Sequence, residues 1–331
     1  MRDIAIIGSG SWGVALGIHL AGLGNNIKIW SFEKEEADLI NNERKCKFLP
    51  EVTIPDNIKC YLDYEEVIKG ADFILHVTPS KFTRNIVKGY KQYVDVEKQP
   101  IIVCSKGLEQ STLSILTDVI KEEIPGVKVG VLSGPSHAEE VSVGIPTLLV
   151  SASEDREVRH HIQDVFMSNK MRVYTTDDVI GVEYGGALKN IVAFCAGVVV
   201  ELKLGDNAFA ALLTRGLTEI ARLGEKIGAK KETFYGLSGL GDLIVTCNSE
   251  HSRNRKAGRL IGRGLELDQV RKEVGMVIES IDNIEAAYEL KNRYGVDMPI
   301  VEEAYNVLYK GKTPMEAAES LMLREKKNEL L

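Results

Sequence analysis

A doubly wound parallel α/β sheet followed by an all-helical region is the fold that this sequence predicts, and three observations carry the expectation. Short apolar runs alternate with helix-like segments through the first half. The first of these runs leads directly into a glycine fingerprint. Beyond about Thr176, strand signals stop and helical periodicity takes over.

The apolar runs are Ile4–Ile7, Ile27–Trp30, Phe73–Val77, Ile101–Cys104, Val129–Leu132, Leu148–Ser151 and Met171–Tyr174. Most are rich in Val and Ile without polar alternation, the pattern of strands buried on both faces of a parallel sheet. Helical patterns lie between them, as in Ser80–Tyr90 and Thr112–Glu123, and such alternation winds a sheet through right-handed crossovers. From Val179 onward, Ala208–Ile227 and Ile284–Tyr294 carry apolar residues at helical spacing. Pro299–Tyr309 opens with the proline that suits a first helical turn. The charged residues from Arg324 to Leu331 read as a frayed tail.

Composition narrows the possible partners. The 331 residues suit two domains rather than one core. A formal net charge of -7, with basic residues scattered, disfavours nucleic acid and anionic membrane as partners. A small anionic substrate then requires a local cationic pocket. The five cysteines, Cys46, Cys60, Cys104, Cys195 and Cys247, are far apart and form no C-x-x-C pair. Buried free thiols in a reducing cytoplasm are expected, with neither a disulfide framework nor a zinc site. No secretory signal is evident, and the longest apolar run, Ile191–Val200, is too short to span a bilayer and reads as a core helix.

The first run feeds Gly8-Ser9-Gly10-Ser11-Trp12-Gly13, a G-x-G-x-x-G between a strand and a helix. Gly8 makes the tight turn, Gly10 lets backbone approach a pyrophosphate, and Gly13 lets the helix pack on the sheet. The helix N-terminus offers its unpaired N–H groups to the phosphates. Residues 1–179 are therefore expected to form a Rossmann-type dinucleotide-binding domain, and 180–331 an all-helical domain bearing substrate and catalytic groups. After the second run stands Ser31-Phe32-Glu33-Lys34. Glu33 is the nearest candidate for the ribose-binding acid, with Phe32 beside it, and Lys34 is the cation placed to meet a 2′-phosphate. NAD and NADP both remain open.

Four further segments carry chemistry-bearing residues. In Ser105-Lys106-Gly107, at the end of a predicted strand, Lys106 either holds an anion, polarises a carbonyl or is an ordinary loop lysine. In Ser133-Gly134-Pro135-Ser136-His137-Ala138, Ser136 is placed to cap a helix over 138–143. In Gly185-Gly186-Ala187-Leu188-Lys189-Asn190, two glycines inside a helix cost about 1 kcal/mol each, which calls for a close approach to the backbone. Lys189 there is either snorkelling or, if desolvated, able to give and take protons near neutrality. Lastly, Gly239-Leu240-Gly241-Asp242 is followed by His251-Ser252-Arg253-Asn254-Arg255. Ser252 reads as a helix cap with two arginines in the first turn. Positive charge is unfavourable there unless an anion is present, so Arg253 and the nearby amides form a candidate phosphate cradle, with a solvated basic face as the alternative.

Taken in order, these segments resemble the bacterial NAD(P)-dependent glycerol-3-phosphate dehydrogenase family over nearly the whole chain. Phe48-Leu49-Pro50, Ser105–Glu109, Ser133–Glu140 and Thr214–Leu217 join the fingerprint, G-G-A-L-K-N, G-L-G-D and H-S-R-N-R in the match. The resemblance implies interconversion of dihydroxyacetone phosphate and sn-glycerol 3-phosphate, with NAD or NADP and no metal. It implies that Lys189 transfers the proton, assisted by Lys106 and Asp242. Lys106, Gly134, Ser136, Lys189, Asp242, Ser252, Arg253 and Asn254 would contact the phosphorylated substrate. Ser11, Trp12, Ala138, Val277 and Glu279 would contact the cofactor, with Lys106 and Arg253 shared. It further implies a cytoplasmic homodimer that supplies phospholipid synthesis. Two stretches depart from the family pattern, Val200–Leu204 and Ser280, where glycine is common. A hydroxy-acid dehydrogenase of the same plan and a non-catalytic dinucleotide sensor are the rival readings.

Overall fold

Residues 4–7 and 101–103 present no polar side chain to water, and each is fully buried in the middle of one sheet. The computed structural model describes residues 1–329, so the last two residues of the expected tail lie outside the described residues. The strands are β1 (Asp3–Ile7), β2 (Asn26–Trp30), β3 (Ile58–Tyr61), β4 (Phe73–His76), β5 (Ile101–Val103), β6 (Leu108–Glu109), β7 (Ser114–Ile115), β8 (Val129–Ser133), β9 (Thr147–Ala152) and β10 (Met171–Thr176). Eight of them form one sheet in the order β10-β9-β8-β5-β4-β1-β2-β3, and β6 and β7 pair separately. Winding proceeds outward from β1 through β2 to β3, then restarts on the other side with β4, so the topological switch lies between β1 and β4.

The sheet is dominated by parallel pairs, as expected, but β8 and β9 are antiparallel. Residues 134–146 join the two, with the five-residue helix Ala138–Ser142 among them, and β9 runs back along β8. Strand β3 is absent from the apolar runs above because it is an edge strand. Its side chains alternate buried and exposed, with Lys59 facing out, so its sequence is half polar. The expected helix from Thr112 begins only at Leu116, since Ser114–Ile115 pairs with Leu108–Glu109.

After β10 the described residues form helices and turns without a further strand. Their internal packing gives two units. The first is Met1–Gly186 with Glu232–Asp242, and the second is Ala187–Lys231 with Leu243 onward. The expected division fell at residue 179; here the helix Val179–Glu201 carries the chain from the first unit into the second. That helix is long and apolar enough to cross a membrane, yet 89% of its most apolar stretch is buried inside the protein.

Within the second unit, helices cross at glycine. A Cβ on Gly258 would overlap the Phe194 carbonyl, and one on Gly197 would overlap the Arg255 carbonyl. The helix Arg253–Gly262 therefore lies backbone to backbone on the helix that carries Lys189. Glu219 supplies a second long-range restraint. Its carboxyl accepts from the N–H groups of Ile300 (3.0 Å) and Val301 (3.4 Å), which open the helix Pro299–Tyr309. The expected frayed tail is partly tethered. Arg324 and Lys327 both reach Asp297, at 2.9 and 2.8 Å.

Two outcomes follow. Gly258→Ala should cost about 1–3 kcal/mol or more by overpacking, read as a lower urea midpoint with unchanged secondary structure. Burial pushes Glu219 up to about 8, against hydrogen bonds that pull it down. The native state therefore holds that proton more tightly than the unfolded chain, and stability falls as pH rises from the ordinary carboxyl range through about 8. Urea midpoints from pH 5 to 8 should show this decline in the native sequence and lose most of it in Glu219→Gln.

Candidate active site

Four loops leave the same edge of the first unit's sheet, at the carboxyl ends of β1, β2, β5 and β8. They carry the fingerprint, Phe32-Glu33, Lys106 and Gly134–Ala138 respectively. Gly8 has a φ of +127°, and a Cβ there would lie 2.6 Å from the Val77 carbonyl, beyond the end of β4. A Cβ on Gly13 would strike the Gly8 carbonyl, so the turn closes on itself only with glycine at both positions.

The same turn fits a dinucleotide pyrophosphate. Gly10 is the N-cap of the helix Ser11–Gly22, and no side chain caps that helix. A Cβ on Gly10 would meet nothing within 4 Å, so the protein's own packing does not require glycine there. Ser11 and Trp12 form the first turn, where backbone N–H groups face outward. The Trp12 indole N–H donates to the Cys104 carbonyl at 3.1 Å, tying this turn to the loop that bears Lys106. Ala138 is buried and opens the short helix that packs on the helix Ser11–Gly22. Phe32 is 82% exposed. Glu33 is exposed as well and caps nothing with its side chain. Lys34 is committed to Asp38 at 2.6 Å.

Lys106 is the polar centre of the first unit. Its ammonium donates to Asp242 Oδ2 at 2.7 Å and to the Gly134 carbonyl at 3.0 Å. Asp242 is buried, so a carboxylate out of water is balanced directly by the ammonium. Ser136 does not cap the next helix as expected. Its hydroxyl donates back to the Gly134 carbonyl at 3.0 Å, and His137 takes the N-cap position. With His137 at the N-cap, Ser136 stands one residue outside the helix. The close approach expected of Gly185 and Gly186 is present. Gly185 faces the Ser238 carbonyl, and Gly186 faces Ser133 Oγ and the Lys106 stem. Ser133 Oγ is buried there with no hydrogen-bond partner, a feature that its sequence context did not signal.

In the second unit Lys189 is buried at 5% exposure, and its ammonium donates to Thr246 Oγ1 at 2.5 Å. It is not a snorkelling lysine. Asn190, the next residue, donates to Glu279 Oε2 at 3.1 Å and accepts from Asn254 Nδ2 at 2.9 Å. Asn254 in turn accepts from the Ser280 N–H at 2.9 Å. Arg253 donates to the Val277 carbonyl at 3.0 Å. Ser252 caps the helix as expected, accepting from the Arg255 N–H at 3.2 Å. Glu279, Asn190, Asn254 and the Ser280 N–H are thus joined in one hydrogen-bonded chain, beside Lys189 with Thr246 and Arg253 with Val277. Sequence reasoning passed over Asn190 and Thr246. Asn190 stood inside a quoted motif, whereas nothing in the spacing tied Thr246 to Lys189.

The second arginine of that helix turn needs no external anion, because Arg255 already meets Glu250 at 2.5 Å. A cavity of about 240 Å³ borders it and includes Arg259 and Arg263. Both of these face Glu201.

Known proteins share this sequence and fold. Residues 3–159 match the model of the NAD-dependent glycerol-3-phosphate dehydrogenase N-terminus, and 178–319 match that of its C-terminus. A glycerol-3-phosphate dehydrogenase, NAD(P)+, of Clostridium perfringens is 48% identical over 330 residues, covering 99% of each chain. One from Fusobacterium nucleatum is 47% identical, covering all of this chain and 99% of its own. The crystal structure of glycerol-3-phosphate dehydrogenase from Coxiella burnetii superposes with a TM-score of 0.94 at 36% identity, covering 98% of this chain and 99% of that one. This chain belongs to the NAD-dependent glycerol-3-phosphate dehydrogenase family.

Proposed function

We propose that this chain interconverts dihydroxyacetone phosphate and sn-glycerol 3-phosphate with NAD(P). The observation that carries the reading is a buried lysine, Lys189, whose ammonium is held by the Thr246 hydroxyl, in a chain of that family. The nicotinamide, when bound, supplies or accepts the hydride. The chain's own residues do the rest. Ser11, Trp12 and the amides of the fingerprint hold the pyrophosphate, with Ala138, Val277 and Glu279 as further cofactor contacts.

Negative charge grows on the substrate oxygen as the carbonyl is reduced. Lys189 Nζ would meet that charge and deliver the proton there, and Thr246 fixes the direction of its ammonium. Lys106 adds a second positive charge, aimed by Asp242 and the Gly134 carbonyl. Gly134 and Ser136 bound the substrate. Arg253, Asn254 and the start of the helix capped by Ser252 grip its phosphate, which turns remote binding energy into positioning of the reacting carbon. A cytoplasmic homodimer supplying phospholipid synthesis completes the proposal and rests on the family assignment alone.

Lys189→Ala should lower turnover ~10²–10⁴-fold, the usual worth of a positioned proton donor, while NADH binding stays within two-fold of about its native value. Near-native turnover in that variant would remove the role. Arg253→Ala should raise KM for dihydroxyacetone phosphate about ten-fold or more, as expected for a lost charge-assisted grip. An unchanged KM would place the phosphate elsewhere. Turnover of a hydroxy acid instead of either phosphorylated substrate, or cofactor binding without turnover, would favour the two rival readings.

A further inference from the structure

We propose that Glu36, rather than Glu33, is the acid that reads the adenosine ribose, and that it favours a free 2′-hydroxyl over a 2′-phosphate. The inference rests on the dinucleotide role proposed above. Ser9 is the residue between the first two fingerprint glycines, and it is buried. Its hydroxyl lies 2.5 Å from Glu36 Oε2 and 2.8 Å from the Ser31 hydroxyl. Ser31 Oγ lies 3.4 Å from the same carboxylate oxygen. The buried Ser9 hydroxyl, just past the end of β1, thus donates to one oxygen of a carboxylate that arrives from the helix Lys34–Asp38, while Ser31, just past the end of β2, lies beside that oxygen and donates to the Glu33 carbonyl at 3.0 Å. These two strand ends are themselves joined, since the Gly8 N–H donates to the Trp30 carbonyl at 3.1 Å.

The geometry leaves the acid well suited to a hydroxyl. Both serines approach Glu36 at Oε2. Oε1 remains to accept from a ribose O–H, and a carboxylate can only accept. A 2′-phosphate offers no such donor and brings like charge to the same place. Glu33 is less suited. It is exposed, and its contacts with Ser31 are made by its backbone N–H and carbonyl. Of the nearby cations, Lys34 is paired with Asp38. Lys47 borders the same crevice but is exposed, with its ammonium over the Phe48 ring at 5.9 Å.

The test is the dissociation constants of NADH and NADPH for the full chain at one fixed salt concentration, measured by tryptophan fluorescence. The native protein should bind NADH at least ten-fold more tightly. Glu36→Gln should bring the two within a few-fold, chiefly by improving NADPH, and Glu33→Gln should leave the ratio unchanged. Equal affinities in the native protein would overturn the proposal without recourse to any variant. A ratio that collapses in Glu33→Gln but survives in Glu36→Gln would overturn it too. Failure to bind either nucleotide would instead overturn the underlying dinucleotide reading.

Discussion

The contact on which the first unit's functional edge depends is the ion pair between Lys106 and Asp242. Asp242 is buried, and a carboxylate removed from water is tolerable only if its charge and lone pairs are met. Lys106 meets it while also donating to the Gly134 carbonyl. One ammonium therefore ties together the loop after β5, the loop after β8 and the segment Glu232–Asp242, which is distant in sequence yet packs with the first unit. Removing one partner of such a pair typically costs 3–5 kcal/mol, because the other is left buried and unbalanced. Trp12 extends the same restraint to the fingerprint through the Cys104 carbonyl.

The second unit solves a related problem by different means. It must bury a cluster of polar side chains on helices, and it does so by letting two helices touch at Gly197 and Gly258. Backbone contact brings Asn254 within reach of Asn190, and each amide then satisfies its neighbours in turn. Ser280 stands within this cluster. Its N–H is used, but its hydroxyl is fully buried without a hydrogen-bond partner. A glycine at that position would carry no such penalty, and nothing in the structure explains the serine. The other departure, Val200–Leu204, ends the helix that bears Lys189; there Glu201 engages Arg259 and Arg263.

Much of this was legible from residue order. The central strands announced themselves because residues buried on both faces have no reason to alternate. The fingerprint was readable because Gly8 and Gly13 answer to backbone sterics that no other residue satisfies. Edge strands β3 and β10 were harder in proportion to their exposure. The sequence of β10 still carried enough Met and Val, whereas β3 with Lys59 did not. The antiparallel direction of β9 was not legible, because the direction of a strand is set by which neighbour it pairs with and not by its own residues.

What the sequence determined by itself, then, is whatever follows from local sterics and periodicity: the strand–helix alternation, the helical second half, the glycine turn and the cap at Ser252. What only the tertiary structure decided is which polar groups meet. Ser136 turned back on Gly134, Lys189 found Thr246, and Glu36 rather than Glu33 reached Ser9. Each of these choices involves a hydrogen bond whose partner is set by packing between elements. A polar side chain in a sequence declares what it can donate or accept, but burial decides which partner it must have.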